Sequence, residues 1–128
     1  GMPLIYSGQE YDLDHRLLFF EKDQIPSTKG VMWPLLEKLG QLKNTNPALN
    51  GGKNSATYMD IATTNPKVLA FSREKNKHKV VFVGNFSDEN QSLKNPSIGA
   101  LNYDSKIKVD DKTLLLEPWG FRILLDYK

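Results

Sequence analysis

Close to its start the chain carries a short apolar run that stops abruptly at a polar segment. Residues 2–6 read Met-Pro-Leu-Ile-Tyr, and residues 7–10 read Ser-Gly-Gln-Glu. Strands of a parallel sheet are apolar on both faces, because helices cover both sides of the sheet. The polar carboxyl ends of such strands form the functional face of (β/α)8 barrels. Residues 2–6 are therefore predicted to be one strand of a barrel whose other strands are missing here, and we expect the chain to be the tail of a larger protein.

One segment has the periodicity of an amphipathic helix. Between residues 31 and 44 apolar side chains recur at helical spacing and form one stripe. This stripe consists of Met32, Leu35, Leu36, Leu39 and Leu42. Pro34 is tolerated in the first turn, and the Asn-Pro pair at residues 46–47 ends the helix because a residue before proline avoids the α region. Residues 11–30 show no clear period and are predicted to form a long loop.

From residue 56 onward the pattern changes to short strand-like segments separated by turn residues, after a turn-rich linker at residues 50–55. The predicted strands are 56–62, 67–73, 78–86, 90–94, 105–109, 112–116 and 119–127. Such spacing favours an antiparallel β-sandwich, Greek-key-like, with about seven strands. The fold is predicted to be mainly β, with residues 1–50 as a strand–loop–helix unit and residues 51–128 as the sandwich domain.

Two strands carry patterns that predict their place in the sandwich. Residues 80–83 are apolar on both faces, which indicates a central strand. In the last predicted strand, alternation places one set of large apolar side chains on a common face, with Arg122 and Asp126 on the other. The apolar set is Trp119, Phe121, Ile123, Leu125 and Tyr127. Trp119 is therefore predicted to be a core residue.

Four stretches resemble, in the same order, segments of the α-amylase family of glycoside hydrolases. Residues 1–10, Gly-x-Pro-Leu-Ile-Tyr-x-Gly-Gln-Glu, resemble the motif of the eighth barrel strand, and residues 19–23 resemble the segment after it. Residues 42–49, which include Asn-Pro-Ala, resemble the end of the eighth helix, and residues 116–122 resemble the closing strands of the C-terminal β-domain. Relatives commonly carry a Trp shortly after the Glu-Lys-Asp stretch, and this chain departs from that pattern at residues 24–28.

This resemblance implies a non-catalytic role for the chain. Glycoside hydrolysis uses two carboxylates, which in this family lie on the fourth and fifth barrel strands, with a further Asp after the seventh. No residue of this chain matches them, so no catalytic residue, cofactor ligand or metal ligand is expected here. The whole enzyme would hydrolyse α-1,4-glucans such as starch and maltooligosaccharides. The chain's own partner would be the catalytic barrel, with glucan contacted only indirectly.

An acidic cluster follows the first motif and invites a second interpretation. Glu10, Asp12 and Asp14 stand next to His15, and carboxylates beside a histidine are typical of metal or acid–base sites. Short motifs of this kind are weak predictors, and the alternative is a solvated loop in which Glu10 hydrogen-bonds nearby backbone. We favour the loop. His78 lies among lysines and is predicted to be an exposed surface residue.

Aromatic residues leave a second function open. Tyr58, Tyr103, Trp119 and Tyr127 are candidates for a sugar-stacking platform, which would make the sandwich a carbohydrate-binding module. Core packing is the commoner fate of large aromatic residues. Exposure and alignment of these rings would separate the two hypotheses. A third hypothesis, a non-enzymatic interaction domain, would be distinguished by the oligomeric state.

Composition excludes several classes of function. The net charge is +2, with 17 basic and 15 acidic residues, which argues against a dedicated nucleic-acid surface. No apolar run is long enough to span a membrane. The chain has no cysteine, so disulfides and thiolate metal sites are excluded and the compartment stays open. We expect the helix to fold back on the sandwich, and residues 2–6 to pair with a sandwich edge or with another copy of the chain.

Overall fold

A computed structural model describes residues 2–127, so Gly1, the first residue of the predicted barrel motif, lies outside the described part. The helix α1 spans Met32–Thr45, and single 3₁₀ turns span Gln9–Tyr11, Pro47–Leu49 and Gly52–Asn54. The strands are β1 Thr57–Asp60, β2 Val68–Lys75, β3 His78–Asn85, β4 Gln91–Lys94, β5 Ala100–Asn102, β6 Lys108–Val109, β7 Thr113–Leu116 and β8 Phe121–Tyr127.

Two antiparallel sheets form the body of the molecule. Six strands make the larger sheet in the order β1-β2-β3-β8-β5-β6, and β4 pairs with β7 in the smaller sheet. Strand β3 is central, as predicted, because it pairs along its length with β2 on one side and with β8 on the other. Asn76 and Lys77 join β2 to β3 with φ of 51° and 65°, the left-handed pair that a tight hairpin turn requires.

The larger sheet is covered on both faces. On one side, here called the sandwich face, Val81, Val83 and Leu124 pack against Leu114 and Leu116 of β7. The mainly β prediction with a sandwich is therefore confirmed. Alternation sends the neighbouring side chains to the opposite side, here called the helix face.

The helix folds back onto the sheet, as expected from its apolar stripe. On the helix face Val80, Ile123 and Leu125 pack together with Ala48, and Leu39 and Leu42 of α1 lie against this cluster. The turn after α1 is fixed by Asn46, whose side-chain oxygen accepts a hydrogen bond from the Ala48 N–H at 2.9 Å. Ala48 is fully buried as a result. Whether residue 50 also marks a domain boundary stays a prediction.

The predicted barrel strand is wrong for this structure. Residues 2–6 form neither helix nor strand, and their side chains are exposed. A strand needs a neighbour to satisfy its backbone N–H and C=O groups, and no described segment pairs with this one. An apolar run alone therefore does not produce a strand.

Other element boundaries also differ from prediction. The sequence did not predict strand β5, which comprises only Ala100–Asn102. The strand follows directly on a turn that contains Gly99 with φ of 83°. In the predicted strand 105–109 only Lys108–Val109 is paired, and the last strand begins at Phe121 instead of residue 119. Within residues 2–127 no helix combines the length and hydrophobicity needed to cross a membrane.

Candidate functional site

Asp12 of the acidic cluster caps the helix instead of binding a ligand. Its Oδ2 accepts a hydrogen bond from the Val31 N–H at 2.6 Å, and its Oδ1 accepts one from the Met32 N–H at 2.8 Å. The first N–H groups of a helix have no partner inside the helix, and a carboxylate there is also favoured by the helix dipole. Asp12 therefore ties the loop after the first motif to the start of α1.

Gly30 makes this capping geometry possible. A Cβ atom at Gly30 would lie 1.6 Å from the Asp12 Oδ2 atom, so any side chain there would displace the carboxylate. One further contact joins the same segments, because the Tyr11 and Trp33 rings lie 5.4 Å apart. Just before the helix, Lys29 Nζ lies 4.2 Å from the Trp33 ring centre. Because the cap bridges residues 19 and 20 positions apart, local sequence patterns do not reveal it.

The rest of the acidic cluster is dispersed. Glu10 accepts a hydrogen bond from the Gly8 N–H at 3.0 Å, the backbone role predicted for it. His15 Nε2 lies 3.4 Å from Asp23 Oδ2. Asp23 also accepts the Leu18 and Gln24 N–H groups, and the Leu18 hydrogen bond is the main cause that lowers the pKa of Asp23.

No metal-binding geometry arises from these residues. Asp14 is exposed, and Glu10 and Asp12 hold different backbone groups. Among the residues that the structure describes, no group of three Asp, Glu, His or Cys side chains could hold an ion. The four clustered residues therefore do not form one shared site.

A row of five aromatic rings crosses the helix face. It consists of Tyr58, Phe71, Phe82, Phe121 and Tyr103, and this set is called the aromatic row below. Successive ring centres are 5.4, 5.1, 6.2 and 6.4 Å apart. The strand register produces the row, because Phe71 pairs with Phe82 and Gly84 pairs with Phe121 across three adjacent strands. The sequence prediction missed Phe71 and Phe82, although alternation along β2 and β3 was the available signal.

Part of the helix face stays open beside the aromatic row. Leu69, which pairs with Gly84, is 44% exposed, and Phe86, two residues after Gly84, is 59% exposed. A Cβ atom at Gly84 would lie 2.8 Å from Phe82 Cζ and 3.2 Å from Phe86 Cε2. Glycine is therefore needed at this position for the rings to approach the sheet. The open area formed by Leu69, Phe86 and the outer edge of the aromatic row is called the open patch.

Ring orientation indicates what the aromatic row can contact. Phe71 and Phe82 are inclined by 27°, and Phe82 and Phe121 by 21°, so the rings stack on one another. Phe71, Phe82 and Phe121 are each half-buried, so part of every ring stays accessible on the helix face. The aromatic row is therefore a partly accessible apolar surface whose members are held in place by ring–ring contacts.

Trp119 is not a core residue, contrary to the prediction. It lies in a turn closed by a 2.9 Å hydrogen bond from the Gly120 N–H to the Glu117 carbonyl oxygen. Its φ is 57°, and its own N–H donates to the Ser87 carbonyl oxygen at 3.0 Å. The side chain is 67% exposed as a result. The apolar alternation of the last strand does not continue into the turn, which is why the prediction failed.

The other candidate aromatics lie apart. Tyr103 packs half-buried beside Phe121, whereas Tyr58 and Tyr127 are exposed. His78 contacts the Tyr127 ring edge-on at 5.1 Å and is half-buried, not fully exposed as predicted. Within the described chain no two of the four predicted platform rings are in contact. The structure therefore does not assemble the predicted sugar platform.

Comparisons with known proteins identify the fold. No protein-family model matches the sequence, and no curated protein does. Solved structures do match: trehalulose synthase MutB from Pseudomonas mesoacidophila MX-45 is 23% identical with a TM-score of 0.61, covering 73% of this chain and 17% of that protein. A variant of isomaltulose synthase from Erwinia rhapontici NX5, in complex with D-glucose, is 25% identical with a TM-score of 0.60, covering 76% of this chain and 18% of that one.

These enzymes belong to the α-amylase family. The resemblance inferred from the sequence, to the C-terminal part of an α-amylase family glycoside hydrolase, is therefore confirmed. The match covers about three quarters of this chain and less than a fifth of the length of the matching structures.

Proposed function

We propose that this chain is the non-catalytic C-terminal portion of an α-amylase-like glycoside hydrolase, and that its β-domain packs on and stabilises the catalytic barrel. The observation that carries the proposal is the open patch on the helix face. Helix α1 covers one end of that face, while Leu69 and Phe86 at the other end stay exposed. Exposed apolar patches next to a core mark interaction surfaces.

The barrel is the partner that best fits this patch. The proposal places a catalytic barrel on the same polypeptide, and α1 on the helix face belongs to the segment that resembles the eighth barrel helix. A barrel packed beside α1 would extend the same layer across the open patch. Interfaces between domains of one chain are of moderate size, which suits a patch of a few aromatic and aliphatic side chains.

A matched pair of variants tests this role in the full-length enzyme. Leu69→Lys places an unpaired charge in the proposed interface, so the Tm of the full-length enzyme should fall by at least about 2 °C. Ile98→Lys, at an exposed apolar position in the connection between β4 and β5, should leave the Tm unchanged. Equal Tm values for the two full-length variants would contradict the packing role.

For the whole enzyme we propose hydrolysis of α-1,4-glucans. The support is the motif resemblance at residues 1–10 and 116–122, together with the fold match to α-amylase family enzymes. Matching structures of MutB and isomaltulose synthase hold glucose or sucrose, so α-glucosides are the broader class. Rates of the full-length enzyme on maltotriose and on sucrose would test the substrate, and a clear preference for sucrose would overturn the α-1,4-glucan assignment.

A carbohydrate-binding role is the second candidate, and the exposure of Trp119 favours it. The ring stands on a turn anchored by two backbone hydrogen bonds, and a rigid exposed indole is a good stacking surface. Loss of maltooligosaccharide binding in Trp119→Ala, with unchanged unfolding, would support this role. Unchanged binding would exclude Trp119 as its basis.

A further inference from the structure

A groove of about 420 Å³ is lined by residues of β5, β6, β7 and β8 and of the turns between them. It lies entirely within residues 102–122, so it does not depend on the unpaired segment at residues 2–6. Ligand pockets typically measure about 300 to 1,000 Å³. The size of the groove therefore suits a small molecule.

Charged groups in the groove are not used by the fold. Arg122 and Asp111 both line it, and within residues 2–127 neither forms an ion pair. Arg122 points to the sandwich face, because it pairs with Val83 in the register of β3 and β8, yet its side chain stays exposed. A guanidinium supplies five donors, and the carboxylate supplies acceptors.

Two further polar side chains have donors to spare. The Asn102 Oδ1 atom accepts the Asp104 N–H at 2.9 Å and the Ser105 N–H at 3.2 Å, so the turn fixes the amide orientation and leaves its NH₂ group for other partners. The Ser105 Oγ atom accepts the Ile107 N–H at 3.4 Å, which leaves its hydroxyl hydrogen to donate. Both residues line the groove.

Part of the lining of the groove is aliphatic and open to solvent. Ile107 is 67% exposed and Leu115 is 72% exposed, and both border the same polar groups. Thr113 adds a hydroxyl at the edge. The groove thus combines apolar contact area with exposed hydrogen-bonding groups.

We propose that this groove binds a neutral saccharide unit. Each sugar hydroxyl both donates and accepts, so a saccharide can accept hydrogen bonds from Arg122 and donate hydrogen bonds to Asp111. An anion attracted by Arg122 would be repelled by Asp111. A cation attracted by Asp111 would be repelled by Arg122. The exposed Ile107 and Leu115 side chains suit the C–H face of a pyranose. The assignment rests on the groove itself and does not depend on the packing of the domain against a barrel.

Two-dimensional ¹⁵N NMR of this chain, titrated with maltose, tests the proposal. A final maltose concentration of about 50 mM is high enough to detect binding with a Kd in the millimolar range. We expect saturable shifts of the Asn102 side-chain NH₂ and of the Thr113 amide. Arg122→Met and Asp111→Asn should each reduce those shifts at least threefold. The matched control Lys53→Met removes an exposed cation outside the groove and should leave the shifts unchanged. Thermal unfolding of each variant would verify that it folds.

Four results would overturn the proposal. They are an absence of saturable shifts, shifts unaffected by both groove variants, equal shifts with glycerol at the same concentration, and shifts produced by inorganic phosphate but not by maltose. The last would make the groove an anion site. In the second case, loss of the shifts in Trp119→Ala would assign the binding to the turn instead.

Discussion

Individual residues in this chain often have roles that their sequence neighbours do not suggest. Asp12 looked like part of an acidic cluster, but its partners are the Val31 and Met32 N–H groups at the start of α1. Trp119 looked like a strand residue, but it occupies a left-handed turn position. Both roles depend on contacts between distant segments, which neither alternation nor motif spacing can predict. Glu10 was predicted correctly because its partner is local.

The Asp12 cap predicts a coupled effect of two substitutions. Asp12→Ala should cost about 0.5 to 2 kcal/mol, the usual effect of losing a helix cap. Gly30→Ala should cost at least as much, because its Cβ would meet the carboxylate. In the double variant the added cost of Gly30→Ala should largely disappear, since the clashing group is gone. Urea unfolding of the wild type, the two single variants and the double variant measures this coupling. Losses of unfolding free energy that simply add in the double variant would refute it.

Trp119 predicts a small effect on stability. Its side chain is exposed, so Trp119→Ala should change the free energy of unfolding by less than about 1 kcal/mol. Trp119→Gly should be at least as stable as Trp119→Ala, because glycine adopts a positive φ without strain. Thermal and urea unfolding would decide this. A loss near the 3 to 5 kcal/mol typical of a buried tryptophan would restore the core assignment.

Elements with a strong periodic pattern were predicted well, and irregular ones were not. Helix α1 and strands β2, β3 and β7 lie close to the predicted ranges, because burial of one or both faces imposes a period on the sequence. Strand β5 has only three residues, too few for a period to show. The run at 2–6 has the composition of a strand but no neighbour to pair with, and pairing is a property of the whole fold.

Two glycines in different elements predict opposite effects of the same substitution. Gly84→Ala in β3 should destabilise the chain by about 1 to 3 kcal/mol, because the added methyl would crowd the Phe82 and Phe86 rings. Gly40→Ala in α1 meets no atom within 4 Å and should stabilise by about 0.5 to 1 kcal/mol through better helix propensity. Urea unfolding compares them, and a neutral Gly84→Ala would show that the aromatic row is loosely packed.

At the scale of the whole molecule, much apolar surface lies outside the two packed clusters. The side chains of residues 2–6, Phe19 and Phe20 are exposed, in addition to the open patch. The sequence resemblance anticipated this distribution, because it implied the absence of most of a barrel. The sequence could not show which part of the sheet α1 leaves open, since that depends on the angle at which the helix packs.

Exposed apolar segments predict self-association of the isolated chain. We expect light scattering to show a concentration-dependent dimer, formed by residues 2–6 pairing with a second copy. Replacing both Leu4 and Ile5 with Lys should give a monomer. A wild-type chain that stays monomeric at high concentration would contradict this expectation. The isolated chain should also release no reducing sugar from starch.

Thiol accessibility at the open patch tests the packing role of the domain most directly. The chain has no cysteine, so Leu69→Cys and the control Ile98→Cys each introduce a single thiol, and both positions are exposed here. In the isolated chain both thiols should react rapidly with a disulfide reagent. In the full-length enzyme the thiol at position 69 should be protected at least tenfold while the one at position 98 stays reactive. Equal reactivity of the two thiols in the full-length enzyme would contradict the account.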